Sequence, residues 1–245
     1  MKNKSFIIFF LLLLTKNIQA EGLTIQAKNI SLDKDGMTSV FEGDVIIKSK
    51  EKIIKSNYAK YNKKTGNILI KENILAEDNK GNIIEAEIAE YDENSKILKT
   101  KGITKIITSE KYVLSGSNIL INNEKKFISS ANDSILTDLD GNKIFLENFE
   151  YKVENNIFKS IGLVKIIDNK NNNLEFAQIY IDTKANEFLG SDIKAYLNDE
   201  NFKINKKNKP RVFSNSFKSN RQQSTFIKSI FTLCDYRDND KCPPW

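Results

Sequence analysis

Histidine is missing from all 245 residues, and cysteine, proline and tryptophan are nearly so: two Cys, three Pro and one Trp, every one at or after Pro210. Without an imidazole there is no Ser–His or Cys–His pair and no mixed Cys/His zinc site. The sequence also has no nucleophile elbow and no Gly-rich phosphate loop. A carboxylate pair could serve a glycosidase or lyase, but the acids here sit in turns and no pair stands apart. With no convergent polar set, the expectation is a protein that is not an enzyme and carries no cofactor or metal. The lack of proline before residue 210 has a structural meaning as well. Every residue there keeps its N–H, as an unbroken series of strands requires. No window places apolar residues at helical spacing for three turns.

The two ends differ from the middle. Residues 6–14 (FIIFFLLLL) follow Lys2 and Lys4 and precede a small residue at Ala20. Such a run is too short to cross a bilayer as a helix and is expected to be a signal peptide over 1–20. The net charge of +6 falls to +3 once Lys2, Lys4 and Lys16 are removed. That mild excess is scattered beside Asp, Glu and Asn, with one run at 206–211 (KKNKPR). It lacks the basic stripe and interleaved aromatics of a nucleic-acid binder. Export implies an oxidising compartment, so Cys234 and Cys242 are expected in disulfides, either with each other or with cysteines elsewhere.

The middle repeats. Tyr61, Tyr91, Ile121, Tyr151 and Ile181 follow one another at steps of 30. Each ends a strand-like run, is followed by a polar Asn/Asp/Lys/Gly turn, and then by an apolar pair that opens the next run. Leu32 extends the series at a step of 29. Gly43, Gly102 and Gly162 recur eleven residues after their anchors, with Asn132 at the equivalent place. A unit this small cannot bury its own apolar face, so the units must stack. The fold class expected is all-β, and a β-solenoid, a sandwich or a two-sheet open roll would satisfy the pattern. Runs such as 45–47 (VII) and 68–70 (ILI) put apolar residues at consecutive positions, and the supply is even along all units. Ordinary core packing would use it; so would an apolar groove running the length of the repeats. The loops at Asp33–Gly36 and Asp138–Gly141 have their Gly at the fourth position and read as hairpin turns rather than calcium loops.

Two parts of the sequence carry a resemblance. The repeats, with FEGDV at 41–45 as an opening, resemble the OstA/LptA-type unit. The tail, with GSDIKAYLNDE at 190–200, FTLC at 231–234 and NDKCPPW at 239–245, is similar to the domain–barrel junction of the LptD family. The resemblance implies an elongated β-jellyroll, a stacked open roll, over 21–205, followed by a basic, Cys-containing junction over 206–245. It implies lipopolysaccharide transport at the outer membrane, in the periplasm, with lipid A acyl chains held in the interior. It also implies docking to an LptA-type bridge protein, and, in a longer chain, to an LptD barrel and an LptE-type lipoprotein. Candidate groove residues on this reading are Ile47, Ile70, Ile106, Leu120, Phe145, Phe158, Ile166 and Phe176. Cys234 and Cys242 would pair with a barrel that is absent here, since the sequence stops at Trp245 where the family continues. A fragment, a truncated frame and a freestanding LptA-like bridge are the corresponding expectations. A structural β-solenoid rod is the competing class.

The thiols give a first test. In cells with an oxidising periplasm, labelling of denatured, unreduced protein should find Cys234 and Cys242 not both free. Two labelled thiols would remove the disulfide expectation.

Overall fold

The structure is a computed structural model that describes residues 23–233, apart from 35, 199, 201–209 and 221. The signal-type segment and both cysteines lie outside the described residues. The chain forms one antiparallel sheet of 18 strands with no helix longer than a single turn among the described residues. In order the strands are β1 (Thr24–Gln26), β2 (Asn29–Leu32), β3 (Thr38–Lys48), β4 (Lys52–Asn62), β5 (Asn67–Asp78), β6 (Ile83–Asp92), β7 (Ile97–Ile107), β8 (Val113–Ser117) and β9 (Leu120–Asn122). They continue as β10 (Phe127–Ser130), β11 (Ser134–Thr137), β12 (Lys143–Leu146), β13 (Phe149–Lys152), β14 (Ile157–Ile167), β15 (Asn173–Asp182), β16 (Glu187–Tyr196), β17 (Arg211–Ser219) and β18 (Ser224–Thr232).

Most long strands break register at their middle, so each contributes to two leaves. Between β3 and β4 the register shifts from Glu42 to Val45, and between β5 and β6 from Lys71 to Ile74. Between β14 and β15 it shifts from Ile161 to Val164. At each of these breaks two residues on one strand face a single residue on the other, the geometry of a β-bulge. At β7 the sheet divides: Ile97–Lys99 pair with β9 while Ile103–Ile107 pair with β8. One leaf then runs β9–β10–β13 and the other β8–β11–β12, and both rejoin on β14. The result is a two-leaf open roll, the jellyroll-like form among the shapes the repeats allow.

The recurring glycines mark the bend. Positions 43, 72, 102, 162 and 192, eleven residues after their anchors, all have positive φ: Gly43 at 76°, Glu72 at 67°, Gly102 at 76°, Gly162 at 110° and Asp192 at 51°. An L side chain there is strained by its Cβ, which explains the glycines and marks Glu72 and Asp192 as positions under load. A broken ladder leaves backbone groups without strand partners, and inward Ser and Thr hydroxyls supply them. Ser130 Oγ donates to the Ser117 carbonyl at 3.0 Å, and Ser160 Oγ to that of Asn148. Thr100 Oγ1 accepts from the Ile119 amide at 3.0 Å. Buried polar groups are kept only when bonded in this way.

The anchors form one row across the first leaf: Tyr61, Ile68, Tyr91, Leu98, Ile121, Ile128, Tyr151, Phe158, Ile181 and Phe188 are successive cross-strand partners. The second leaf carries a matching row from Ile25 and Ile47 through Ile106, Leu136 and Ile166 to Val212 and Phe231. Both rows belong to one buried core between the leaves, except that Phe231 on the last strand is 53% exposed. Outward positions alternate in charge across strands, as in Lys105–Glu85 at 3.4 Å and Lys101–Glu90 at 2.5 Å. The turns reuse one device. Asp78, Asp138 and Asp168 each accept from the amide and side chain of the Asn four residues on. The Asp138 loop is therefore turn chemistry, as its sequence implied.

The sheet also extends further than the repeats. Residues 205–224 are polar and basic with few strand signals, at the start of the junction expected over 206–245, yet 211–219 form β17, which pairs with β16 and with β18 beyond it. Val212, Ser214 and Phe217 are buried while Asn215, Ser216 and Lys218 are exposed, so one face still reaches the core.

The bend positions predict opposite effects of glycine exchange. Glu72→Gly should raise stability by about 1 kcal/mol, because it removes the left-handed Cβ penalty. Gly162→Ala should lower it by at least as much, since its Cβ would sit 2.8 Å from Glu147 Oε2 at a φ of +110°. Denaturant midpoints of the two variants would test both signs.

Candidate functional site

The candidate site is the space between the leaves. Six of the eight residues singled out from the sequence line it: Ile47, Ile70, Ile106, Phe158, Ile166 and Phe176 are all buried, between 0% and 8% exposed. Leu120 and Phe145 are not brought to this face. Leu120 pairs with Lys99 and Ser129 in an outward row. Phe145 lies between buried Ile144 and Leu146 and so points the other way. There it meets Ile135 and Leu163 at a shallow outer hollow of about 380 Å³. A strand places alternate residues on opposite faces, and an all-apolar run such as 144–146 (IFL) does not say which.

The interior is packed over much of its length and hollow at places along its open side, opposite the bend. One cavity of about 270 Å³ has Ile84, Leu98, Ile106, Ile121, Ile128 and Val153 as its apolar lining. A second, of about 560 Å³, lies further along between Ile144, Ile166 and Leu174 on one leaf and Ile181, Phe188 and Phe217 on the other, with turn residues such as Asp138, Asn142, Asp168 and Asn186 making an equally large polar part of its lining. Between the two, Leu114, Leu136, Tyr151 and Phe158 fill the section, with the Phe149 and Phe158 rings stacked at 5.4 Å. The far wall is an aromatic cluster in which Phe176 meets Phe188 at 5.3 Å and Phe217 at 5.7 Å across the leaves. Gly190 makes room for it, since a Cβ there would lie 2.4 Å from the Phe176 ring.

Polar contacts join the leaves across the open side. Lys52, at the start of β4, donates to Asn123 Oδ1 at 2.5 Å, and the adjacent Glu51 pairs with Lys126 at 2.8 Å. Further on, the buried Tyr112 hydroxyl donates to Asn186 Oδ1 at 2.7 Å. In each case a tip of one leaf meets a tip of the other 71–75 residues later in the chain. No local pattern in the sequence marks such pairs; only the offset between leaves would. The hydrogen bond from Lys126 holds the Glu51 carboxyl below its ordinary value, with burial opposing it and the charges of Lys126, Lys52 and Lys50 adding to it. Lys52 is pulled below the usual lysine range by burial, while Asp78 and Glu51 push it back through space.

A scan against protein-family models gave no match, and neither did a search of curated proteins. Two solved structures are similar in part. One is LptH, the LptA homologous periplasmic component of the lipopolysaccharide transport device from Pseudomonas aeruginosa. It is 16% identical, over 66% of this chain and 77% of that one, with a TM-score of 0.18. The other is the TCP10 domain of Danio rerio CPAP in complex with a STIL peptide, 6% identical over 70% of this chain and 94% of that one, with a TM-score of 0.23. Both superpositions are too loose to assign a function.

The Glu51 shift predicts a pH dependence. A carboxyl whose folded-state pKa is depressed adds stability above its unfolded value and loses it as pH falls through the folded one. Glu51→Gln should therefore melt below the wild type at neutral pH, with the gap closing as the pH drops below the ordinary value of 4.5. A gap that persists in acid would mean the ion pair is not its source.

Proposed function

We propose that this chain is a lipid-carrying module of lipopolysaccharide transport, acting in the periplasm without covalent chemistry. One observation supports the reading: a single apolar core runs between the leaves from Ile25 to Val212, and it holds separate cavities along the open side. A sheet built only for rigidity gains nothing from interior cavities, because unfilled apolar space forfeits dispersion contacts. Amphiphile chains match such a space, and the repeats and tail that resemble the OstA/LptA unit and the LptD junction favour lipid A as their source. Six residues of the interior, Ile47, Ile70, Ile106, Phe158, Ile166 and Phe176, are assigned to the acyl chains.

The ends support a bridge. Among the described residues β1 and β2 pair only with β3, and β18 pairs only with β17, so both end strands keep a free edge. β18 also leaves Ile227, Ile230 and Phe231 about half exposed. Free edges either take up another strand or aggregate. An LptA-type protein is the partner assigned to them, with an LptD-type barrel beyond.

The two faces of the sheet give the test. A photo-crosslinking residue at Ile106 or Phe176 should capture lipopolysaccharide in cells, while the same residue at Leu120 or Phe145 should not. Capture from the outward pair alone would move the lipid to the outer face. No capture from any of the four, with the protein folded, would remove the carrier reading.

A further inference from the structure

Lys52 is in an unusual position for a lysine. Its stem lines two apolar cavities at once, the one of about 270 Å³ and a small one of about 20 Å³ that reaches Leu23, Ile47 and Ile70. Leu98 is the apolar side chain shared by both linings. The side chain is partly buried, yet the group it hydrogen-bonds is the neutral Asn123 amide; the Asp78 and Glu51 carboxylates act on it only through space, and among the described residues it forms no ion pair. A buried cation is ordinarily kept with an anion, because desolvation costs several kcal/mol otherwise. Beside it Lys126, on the opposite leaf, has its charge taken by Glu51, which is half exposed. Lys52 and Lys126 stand close enough to repel one another. Two cations thus meet at one point of the open side, above apolar space, one held by an amide and the other by a half-exposed carboxylate.

We propose that Lys52 and Lys126 form a head-group site for an anionic, acyl-bearing amphiphile, occupied in the empty protein by Asn123 and Glu51. This rests on the reading above that the interior takes apolar chains. On binding, a phosphate displaces the Glu51 carboxylate from Lys126 and the Asn123 amide from Lys52, and becomes the directly bonded counter-ion of both. The same exchange releases the cross-leaf contacts at this point, so the two cavities on either side of Lys52 join and the chain can pass beneath it. Charge makes the selection: once Asn123 is displaced, a phosphate gives Lys52 a directly bonded anion, whereas a neutral head does not.

The test uses the chain from residue 21 onward and two probes with the same twelve-carbon tail, dodecyl phosphate and dodecyl maltoside, titrated calorimetrically below micelle formation. Wild-type protein should bind both, the phosphate more tightly. Lys52→Met and Lys126→Gln should each weaken the phosphate probe by roughly tenfold or more, the worth of one charged hydrogen bond, and leave the maltoside unchanged. Lys52→Arg should retain most of the preference, and Glu51→Gln should strengthen phosphate binding several-fold by freeing Lys126. Because Lys126 lies at the surface, its variant serves if Lys52→Met does not fold. Equal affinity for the two probes, insensitive to both lysines, would overturn the head-group site and leave the apolar interior standing. Failure of both probes to bind the wild type would overturn the interior reading and the site with it. Inorganic phosphate should compete poorly; if it displaced dodecyl phosphate at equal concentration, the site would be one for a free anion and the proposal would fail.

Discussion

The mid-strand bend is the constraint on which the rest of the molecule depends. A flat sheet of this many strands would leave one apolar face in water. Every unit but the one anchored at Ile121 has a left-handed residue at the same distance from its anchor, so the bends align across the sheet into one spine. The two halves of each strand then face one another, and a single apolar face becomes both sides of a core. The cost is a broken hydrogen-bond ladder along the spine, which the inward hydroxyls of Ser130, Thr100 and Ser160 offset locally.

That arrangement sets where the interior can yield. At the spine the leaves are covalently one, and at the open side they are held by a few side-chain contacts. Glu51 and Lys126 are each at least a third exposed, and exposed ion pairs contribute little, typically under about 1 kcal/mol. Most of the cohesion is therefore apolar packing between the leaves, as in the section around Leu114, Leu136, Tyr151 and Phe158. The cavities occur where that packing lapses.

Much of this was legible in the sequence, for physical reasons. The 30-residue step fixes which residues share a row, and Tyr61 to Ile181 do. The glycines eleven residues on were visible as a recurrence; that they are bends required backbone angles, and Glu72 hid one member of the set. Facing was less legible. Inward residues are four apart across the bend in β3 (Phe41, Val45) and three apart in β4 (Ser56, Ala59), so no single alternation holds along a strand. Ile144, Phe145 and Leu146 are all apolar, and the outward one could not be told apart. The polar contacts at the open side were not legible at all, because Lys52 and Asn123 share no local pattern.

The same tip-to-tip offset governs how the chain can assemble. Neighbouring strands are joined by short turns, so pairing proceeds through contacts close in sequence and is fast by that route. Closure is different: the first contact across the open side joins residues 71 apart and waits until more than two units have formed. A nascent chain shorter than that can zip its hairpins but cannot seal its interior. Until then it presents a bare apolar face, and the shortest self-closing piece is set by the offset between leaves and not by the length of the repeat.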